Sequence, residues 1–288
     1  MKRDISEKIV IITGTGYKII KECNEENLDA FDTEFVKANI GAWVAKVLSD
    51  TGFEVLMISR TKSKLDILSQ SIKKSNQNAK VYFSATDIMD PLKVKSLVEE
   101  LPKNKDIFLV HCAGLSAGSY KVSYDNPYLS LEDTPADLPS LEYDCIVRSL
   151  LILVQSLMPR FKKQKETRIV VNTSMSGIRA VPFGYSHSGA KAGLHQSVRS
   201  MTLELNKDNI YISEILPGAV NTGLYDSYEV QNAVVKMGKF FGYDYDYNNI
   251  PQMHPKEVAE AVKLCLISGS HILSINMVAK GQWPNMGA

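Results

Sequence analysis

Short runs of apolar residues recur along the chain, each bounded by polar or turn-forming positions. Lys8–Thr13 (KIVIIT), Val55–Ser59 (VLMIS), Val81–Phe83, Ile107–His111 (IFLVH), Ile169–Asn172 (IVVN) and Ile210–Leu216 (IYISEIL) are continuous rather than alternating. Strands buried on both faces carry that pattern, because neither side of the pleat meets water. Helical patterns occupy the stretches between them, over about 38–50, 62–75, 91–101, 140–163, 186–205 and 255–268. Strand and helix in such regular alternation predict a parallel sheet with helices on both faces.

Right-handed crossovers then make the fold class α/β, a doubly wound parallel sheet of the Rossmann-like, three-layer α/β/α kind. The alternation shows no break, so residues 1–288 read as one such domain. Ligands of these sheets bind beyond the carboxyl ends of the strands. The segments after Thr13, Ser59, His111, Asn172 and Leu216 are therefore where chemistry belongs. Three stretches lack a clear period. Residues 15–38 are acidic and mixed, and 115–139 are rich in Ser, Tyr, Asp and Pro. Residues 223–253 carry Tyr225, Tyr228, Phe240, Phe241, Tyr243, Tyr245 and Tyr247. Long irregular loops are often functional lids, and 223–253 reads as a substrate lid or as aromatic packing.

Composition narrows the picture without redirecting it. The 288 residues are 44% apolar and 23% charged, with 33 Lys+Arg against 32 Asp+Glu. A near-neutral chain offers no basic footprint for nucleic acid and no charge argument for a membrane. The N-terminal apolar run ends in Thr-Gly with no small-residue cleavage site, which predicts a strand rather than a signal peptide. Cys23, Cys112, Cys145 and Cys265 form no CxxC pair and the five histidines no HExxH, so no metal site is expected. Scattered cysteines read as reduced thiols of a cytoplasmic protein.

The strand ends carry an ordered set of short motifs. Thr13-Gly14 closes the first strand, and Ser59-Arg60-Thr61 the second. Asp87-Ile88 follows the third, Cys112-Ala113-Gly114 the fourth and Asn172-Thr173-Ser174 the fifth, with Gly177 beyond. Ala190-Lys191-Ala192-Gly193 lies in the next helix, and Pro217-Gly218-Ala219-Val220-Asn221-Thr222 follows the sixth strand. In this order, over about residues 7–282, the set resembles the short-chain dehydrogenase/reductase family.

The resemblance implies an oxidoreductase with a nicotinamide cofactor, a small-molecule substrate and a homodimeric or homotetrameric assembly through the 140–163 and 186–205 helices. A glycine turn between strand and helix lets backbone N–H groups and the helix dipole meet a pyrophosphate. By resemblance Asp87 and Ile88 hold the adenine, Ala113-Gly114 let the cofactor pass close, and Pro217, Gly218, Val220 and Thr222 line the nicotinamide side. The second strand ends in Arg60-Thr61 with no acid. Guanidinium suits a 2′-phosphate, which favours NADP, as NADPH, over NAD. The implied catalytic set is Ser, Tyr and Lys. Ser174 and Lys191 match it, Ser holding the substrate oxygen and Lys lowering the tyrosine pKa while binding the ribose.

Departures from the pattern bear on mechanism. Four before Lys191, and thirteen after Ser174, stands His187 where the family has Tyr, with Tyr185 two positions earlier. Either Tyr185 or His187 handles the proton, or neither does. Beside Lys191, His187 reads as a better base than acid. Gly14 and Gly41 are 27 positions apart where the pattern has about six, so 15–38 is an insertion. Asn39, before Ile40 and Gly41, takes the place of the middle glycine, its tolerance of left-handed backbone letting the turn survive; Gly16 offers a replacement turn. The insert's acids, Glu22, Glu25, Glu26, Asp29, Asp32 and Glu34, read as an outward solvated flap. Ile146 falls near the family's relay Asn, with Arg148 and Ser149 as nearby polar residues. Cys112 and His111 read as packing residues. The expected function is NADP(H)-dependent interconversion of carbonyl and alcohol on a small apolar or ring-containing substrate. A redox-neutral lyase, isomerase or cyclase with His187 as base, or a non-catalytic nucleotide-binding regulator, are the alternatives.

Overall fold

The computed structural model describes residues 5, 7–23, 28–114, 129–246 and 249–282. Strand β1 (Lys8–Thr13) is buried on both faces: Val10 and Ile12 enter one core, Ile9 and Ile11 the other. A two-residue side-chain period on a strand without a solvent face produces that split. The chain next makes β2 (Tyr17–Ile19) and β3 (Val36–Ala38), and then α1 (Ile40–Thr51). There follow β4 (Glu54–Ser59), α2 (Lys62–Ser75), β5 (Val81–Ala85), α3 (Pro91–Glu100) and β6 (Asp106–His111). The second half holds α4 (Leu138–Tyr143), a π-helical turn (Asp144–Arg148) and α5 (Ser149–Phe161). After them come β7 (Thr167–Asn172), α6 (Tyr185–Leu205), β8 (Ile210–Pro217), α7 (Tyr228–Phe240), α8 (Pro255–Ile267) and β9 (Ser274–Met277).

Seven strands form one parallel sheet in the order β5-β4-β1-β6-β7-β8-β9. The order reverses beside β1, which opens a crevice above the ends of β1 and β6. Helices α1 and α8 cover one face of the sheet, and α3, α5 and α6 the other. Helix starts are capped locally. Asp90 accepts from the N–H groups of Leu92 and Lys93 ahead of Pro91, and His254 and Glu257 form a capping box around Pro255. Among the described residues, no helix is long and apolar enough to cross a membrane.

Three regions depart from the sequence expectation. The insertion is not a free flap: β2 and β3 pair antiparallel, Tyr17 opposite Ala38 and Ile19 opposite Val36. Tyr17, Ala30, Val36 and Ala38 are buried against the main core, and the Ala30 N–H donates to Ser71 Oγ at 2.9 Å. Its strands are too short, and too interleaved with lysine, for periodicity to reveal. Residues 140–163 are not one uninterrupted helix, because the π-helical turn lies between α4 and α5. The 223–253 segment contains α7, whose Val230, Val234 and Met237 join Tyr225 and Ile250 in a small separate core. Most of the Ser/Tyr/Asp/Pro stretch at 115–139, Tyr247, and the tail beyond Gln282 lie outside the described residues.

Arg168 on β7 is 2% exposed and donates to the carbonyls of Cys265 (3.3 Å), Ser268 (3.2 Å) and Ser270 (2.9 Å) at the end of α8. Arg168→Leu leaves those acceptors unpaired in a site too dry for water to replace the guanidinium. The expected loss is about 3 kcal/mol of unfolding free energy, read as a lower urea midpoint. A loss under about 0.5 kcal/mol would refute this account of the α8 terminus.

Candidate active site

A cleft of about 1220 Å³ opens above the ends of β1, β4, β6, β7 and β8. Its base is the turn after β1. Gly14 has φ +73°, and a Cβ there would lie 2.6 Å from the Ala113 nitrogen. A Cβ on Gly41 would lie 2.7 Å from the Gly14 carbonyl oxygen. Only glycines allow the three backbones to meet. Asn39 works differently from the left-handed residue expected: its backbone is extended (φ −79°, ψ 177°). Its side chain takes over the missing glycine's task. Oδ1 accepts from the N–H groups of Ala42 (3.0 Å) and Gly16 (3.2 Å), and Nδ2 donates to Gly14 O at 2.9 Å. Gly16 closes the entry, accepting from the Asn39 N–H at 2.9 Å. The first N–H groups of α1, at Ile40 and Gly41, thus stand at the cleft wall without intrahelical acceptors.

Arg60 and Thr61 after β4, Asp87 and Ile88 after β5, and Cys112, Ala113 and Gly114 after β6 line the next stretch. Asp87 Oδ1 accepts from the Met89 N–H at 3.0 Å, which fixes its carboxylate. Lysines of the ribbon face inward: Lys18 and Lys37 line the cleft, whereas Glu22, Asp29, Asp32 and Glu34 do not. Glu25 and Glu26 lie outside the described residues. Lys18 Nζ donates to Gly223 O at 3.0 Å and Lys37 Nζ pairs with Asp226 at 2.5 Å. The ribbon is tied in this way to the start of the 223–253 segment.

Ser174 follows β7 and caps a 3-10 turn. Its Oγ accepts from the N–H (3.1 Å) and hydroxyl (2.8 Å) of Ser176, which leaves its own proton to donate. On α6, His187 and Lys191 are four apart and both line the cleft. Tyr185 is 59% exposed and does not line it. Two helical residues span about 200°, so a face shared by 187 and 191 turns 185 away. Lys191 is buried and donates to Asn172 O at 3.3 Å. Burial pushes its pKa down to about 8, against the opposing pull of Cys112, Cys145 and Glu142.

Sequence reasoning missed Glu142. This α4 carboxylate is 4% exposed, accepts from Ser186 Oγ and stands 3.6 Å from His187 Nδ1. Its signal is spatial only, because α4 and α6 meet through tertiary packing. Ile146, at the relay position, is fully buried in the π-helical turn; Arg148 pairs with Asp144, and Ser149 donates to Cys145 O. Burial, reinforced by Lys191, pushes His111 down to about 3, so it stays neutral between Thr13 and Ser149. Burial pushes the Cys112 thiol up to about 12, which removes it as a nucleophile at neutral pH. Pro217, Gly218, Val220 and Thr222 complete the wall with Tyr225, Met237, Tyr245 and Gln282. Of the described aromatics in 223–253, Tyr225 and Tyr245 border the cleft, and Tyr243 stacks on Tyr245.

The family profile described as short chain dehydrogenase matches residues 36–233. This chain belongs to the short chain dehydrogenase family. It is an oxidoreductase of that family. An uncharacterized oxidoreductase of Staphylococcus saprophyticus is 26% identical over 242 residues, 82% of this chain and 89% of that one. A 3-oxoacyl-acyl-carrier-protein reductase of Aggregatibacter actinomycetemcomitans is 24% identical over 204 residues, covering 69% and 78%. Among solved structures, the NADPH-bound short chain oxidoreductase of Pseudomonas aeruginosa described as containing an atypical catalytic center superposes with a TM-score of 0.71 at 18% identity, covering 96% of each chain. L-Sorbose reductase of Gluconobacter frateurii, with NADPH and L-sorbose, has a TM-score of 0.70 at 18% identity, covering 97% of this chain and 98% of that one. At these identities the structures show the shared fold.

Lys191 gives this short chain dehydrogenase a characteristic alkaline signature. The unfolded lysine titrates at 10.5 and the folded one at about 8. Between those values the unfolded chain holds a proton that the folded chain has released, so stability rises with pH. Wild type should gain up to about 3 kcal/mol from pH 8 to 10.5 relative to Lys191→Met, read from paired denaturation curves. Parallel pH profiles would show that Lys191 is not desolvated as described.

Proposed function

We propose that this dehydrogenase uses NADP(H) to interconvert a carbonyl and an alcohol on a small substrate with an apolar body. The convergence of Ser174, His187 and Lys191 on the cleft that also receives the Gly14 turn and the first turn of α1 carries this reading. The residues present fit the cofactor. A Cβ on Gly114 would meet nothing within 4 Å, so that backbone is open to a ligand. Asn172 Oδ1 is buried on the cleft wall without a donor, an acceptor suited to a ribose hydroxyl. Arg60 just after β4 and Lys64 in the first turn of α2 suit a 2′-phosphate better than free ribose hydroxyls, which supports NADP over NAD.

When bound, the reduced nicotinamide supplies the hydride to the carbonyl carbon. Ser174 donates its remaining proton as a hydrogen bond to the substrate oxygen. His187, as imidazolium, gives the proton that turns the developing alkoxide into the alcohol, and takes it back in oxidation. Glu142, 3.6 Å from His187 Nδ1, positions the imidazole for this transfer. Lys191, held by the Asn172 carbonyl, binds the ribose and keeps positive charge near the developing oxyanion. The same reading expects a cytoplasmic homodimer or homotetramer through α5 and α6, where Leu203 is 85% exposed.

Calorimetric titration should give NADP(H) affinity at least about tenfold tighter than NAD(H), a gap that Arg60→Ala narrows. Failure to bind any nicotinamide nucleotide overturns the reading. With a turned-over carbonyl, His187→Gln should lower kcat by about a hundredfold or more, while Tyr185→Phe stays within about twofold of wild type. Glu142→Gln should lower kcat about tenfold with unchanged nucleotide Kd, and Glu142→Asp should recover part of it. Loss in Tyr185→Phe with activity kept in His187→Gln would transfer the proton step to Tyr185.

A further inference from the structure

Arg179 is a partly buried cation of the cleft for which hydride and proton transfer have no task. It lies five residues after Ser174 on the loop from β7 to α6, and it lines the cleft together with Val181. Its Nε and Nη2 are sealed from solvent and meet no hydrogen-bond acceptor. The carboxylates that line the cleft, Asp87 and Glu229, leave both nitrogens unpaired. Burial alone lowers its pKa from the usual arginine value, yet a guanidinium does not discharge at physiological pH. Two guanidinium N–H groups held dry without an acceptor cost stability. Groups kept in that condition mark places where a ligand brings the missing acceptor.

The geometry of the orphaned pair narrows the ligand. Nε–H and Nη2–H lie along one edge of the guanidinium plane, and their parallel bonds match the two oxygens of a carboxylate. A cofactor phosphate fits this place poorly. β7 stands two strands from β1 and three from β4, about 10 and 14 Å along the sheet, whereas the anion-binding turn and Arg60 follow β1 and β4. Val181, Tyr225 and Met237 supply apolar wall for the rest of the molecule.

We propose that Arg179 anchors an anionic group of the substrate, so that the site selects carboxylate-bearing carbonyl compounds or alcohols, oxo acids and hydroxy acids, over their neutral analogues. The position of the reacting carbon near Ser174 rests on the oxidoreductase reading; the anion anchor does not.

The test is calorimetric titration of 3-phenylpropanoate and its neutral counterpart 3-phenylpropanamide into wild type, Arg179→Gln and Arg179→Lys, with NADP present. The expected result is a Kd for the carboxylate at least about tenfold below that of the amide in wild type, no preference in Arg179→Gln and a reduced one in Arg179→Lys. Because Arg179 makes no side-chain hydrogen bond among the described residues, Arg179→Gln should also melt no lower than wild type. No carboxylate binding, equal binding of acid and amide, or a preference that persists in Arg179→Gln overturns the proposal. A parallel NADPH-oxidation assay, with oxo acids and their methyl esters, separates the two readings. Arg179-dependent carboxylate binding with no NADPH consumption sinks the oxidoreductase reading alone. Equal turnover of acids and esters sinks the anchor alone.

Discussion

Three backbones meet where no side chain fits, at Gly14, Gly41 and Ala113. That close approach sets the end of β1 against the end of β6 and the start of α1. It also aims the unpaired N–H groups of a helix N-terminus into the crevice where the sheet order reverses. A methyl group at Gly14 or Gly41 would have to push backbone rather than a flexible side chain, and packed interiors resist that. The floor of the cleft follows from this junction.

The junction also explains how the chain tolerates a long insertion inside its most constrained turn. β2 and β3 pair antiparallel, so the inserted segment leaves and returns at neighbouring points. Gly16 and Asn39 face each other across that mouth and exchange backbone and side-chain hydrogen bonds. The turn therefore meets almost the geometry it would have without the insert. Lys18 and Lys37 then add a connection that a short loop lacks, from the glycine turn to the lid at Gly223 and Asp226.

The reacting end of the cleft is governed by desolvation. The same dry setting lowers Lys191, raises Cys112 and holds His111 neutral. Ser174, His187 and Lys191 line this end of the cleft, with Cys112 and Cys145 beside them. Glu142 completes the set from another helix. Helix α4 brings that carboxylate to 3.6 Å from His187 Nδ1.

Continuous apolar runs at Lys8–Thr13 and Ile107–His111 determined the buried parallel strands, because a strand covered on both faces has no polar side to display. The ordered strand-end motifs, through their resemblance to the short chain dehydrogenase family, pointed to Gly14, Ser174 and Lys191, since such motifs are short and contiguous in sequence. The register of α6 decided between His187 and Tyr185 as lining residues, because 200° of helix separates them. Only tertiary packing decided the rest. Lys18 and Lys37 line the cleft while the described acids of the insert do not, Glu142 meets His187 across two helices, and two guanidinium nitrogens of Arg179 are sealed without an acceptor. Each depends on which surfaces lie against each other in space, and pairs 45 residues apart, as Glu142 and His187 are, leave no period in the sequence to read.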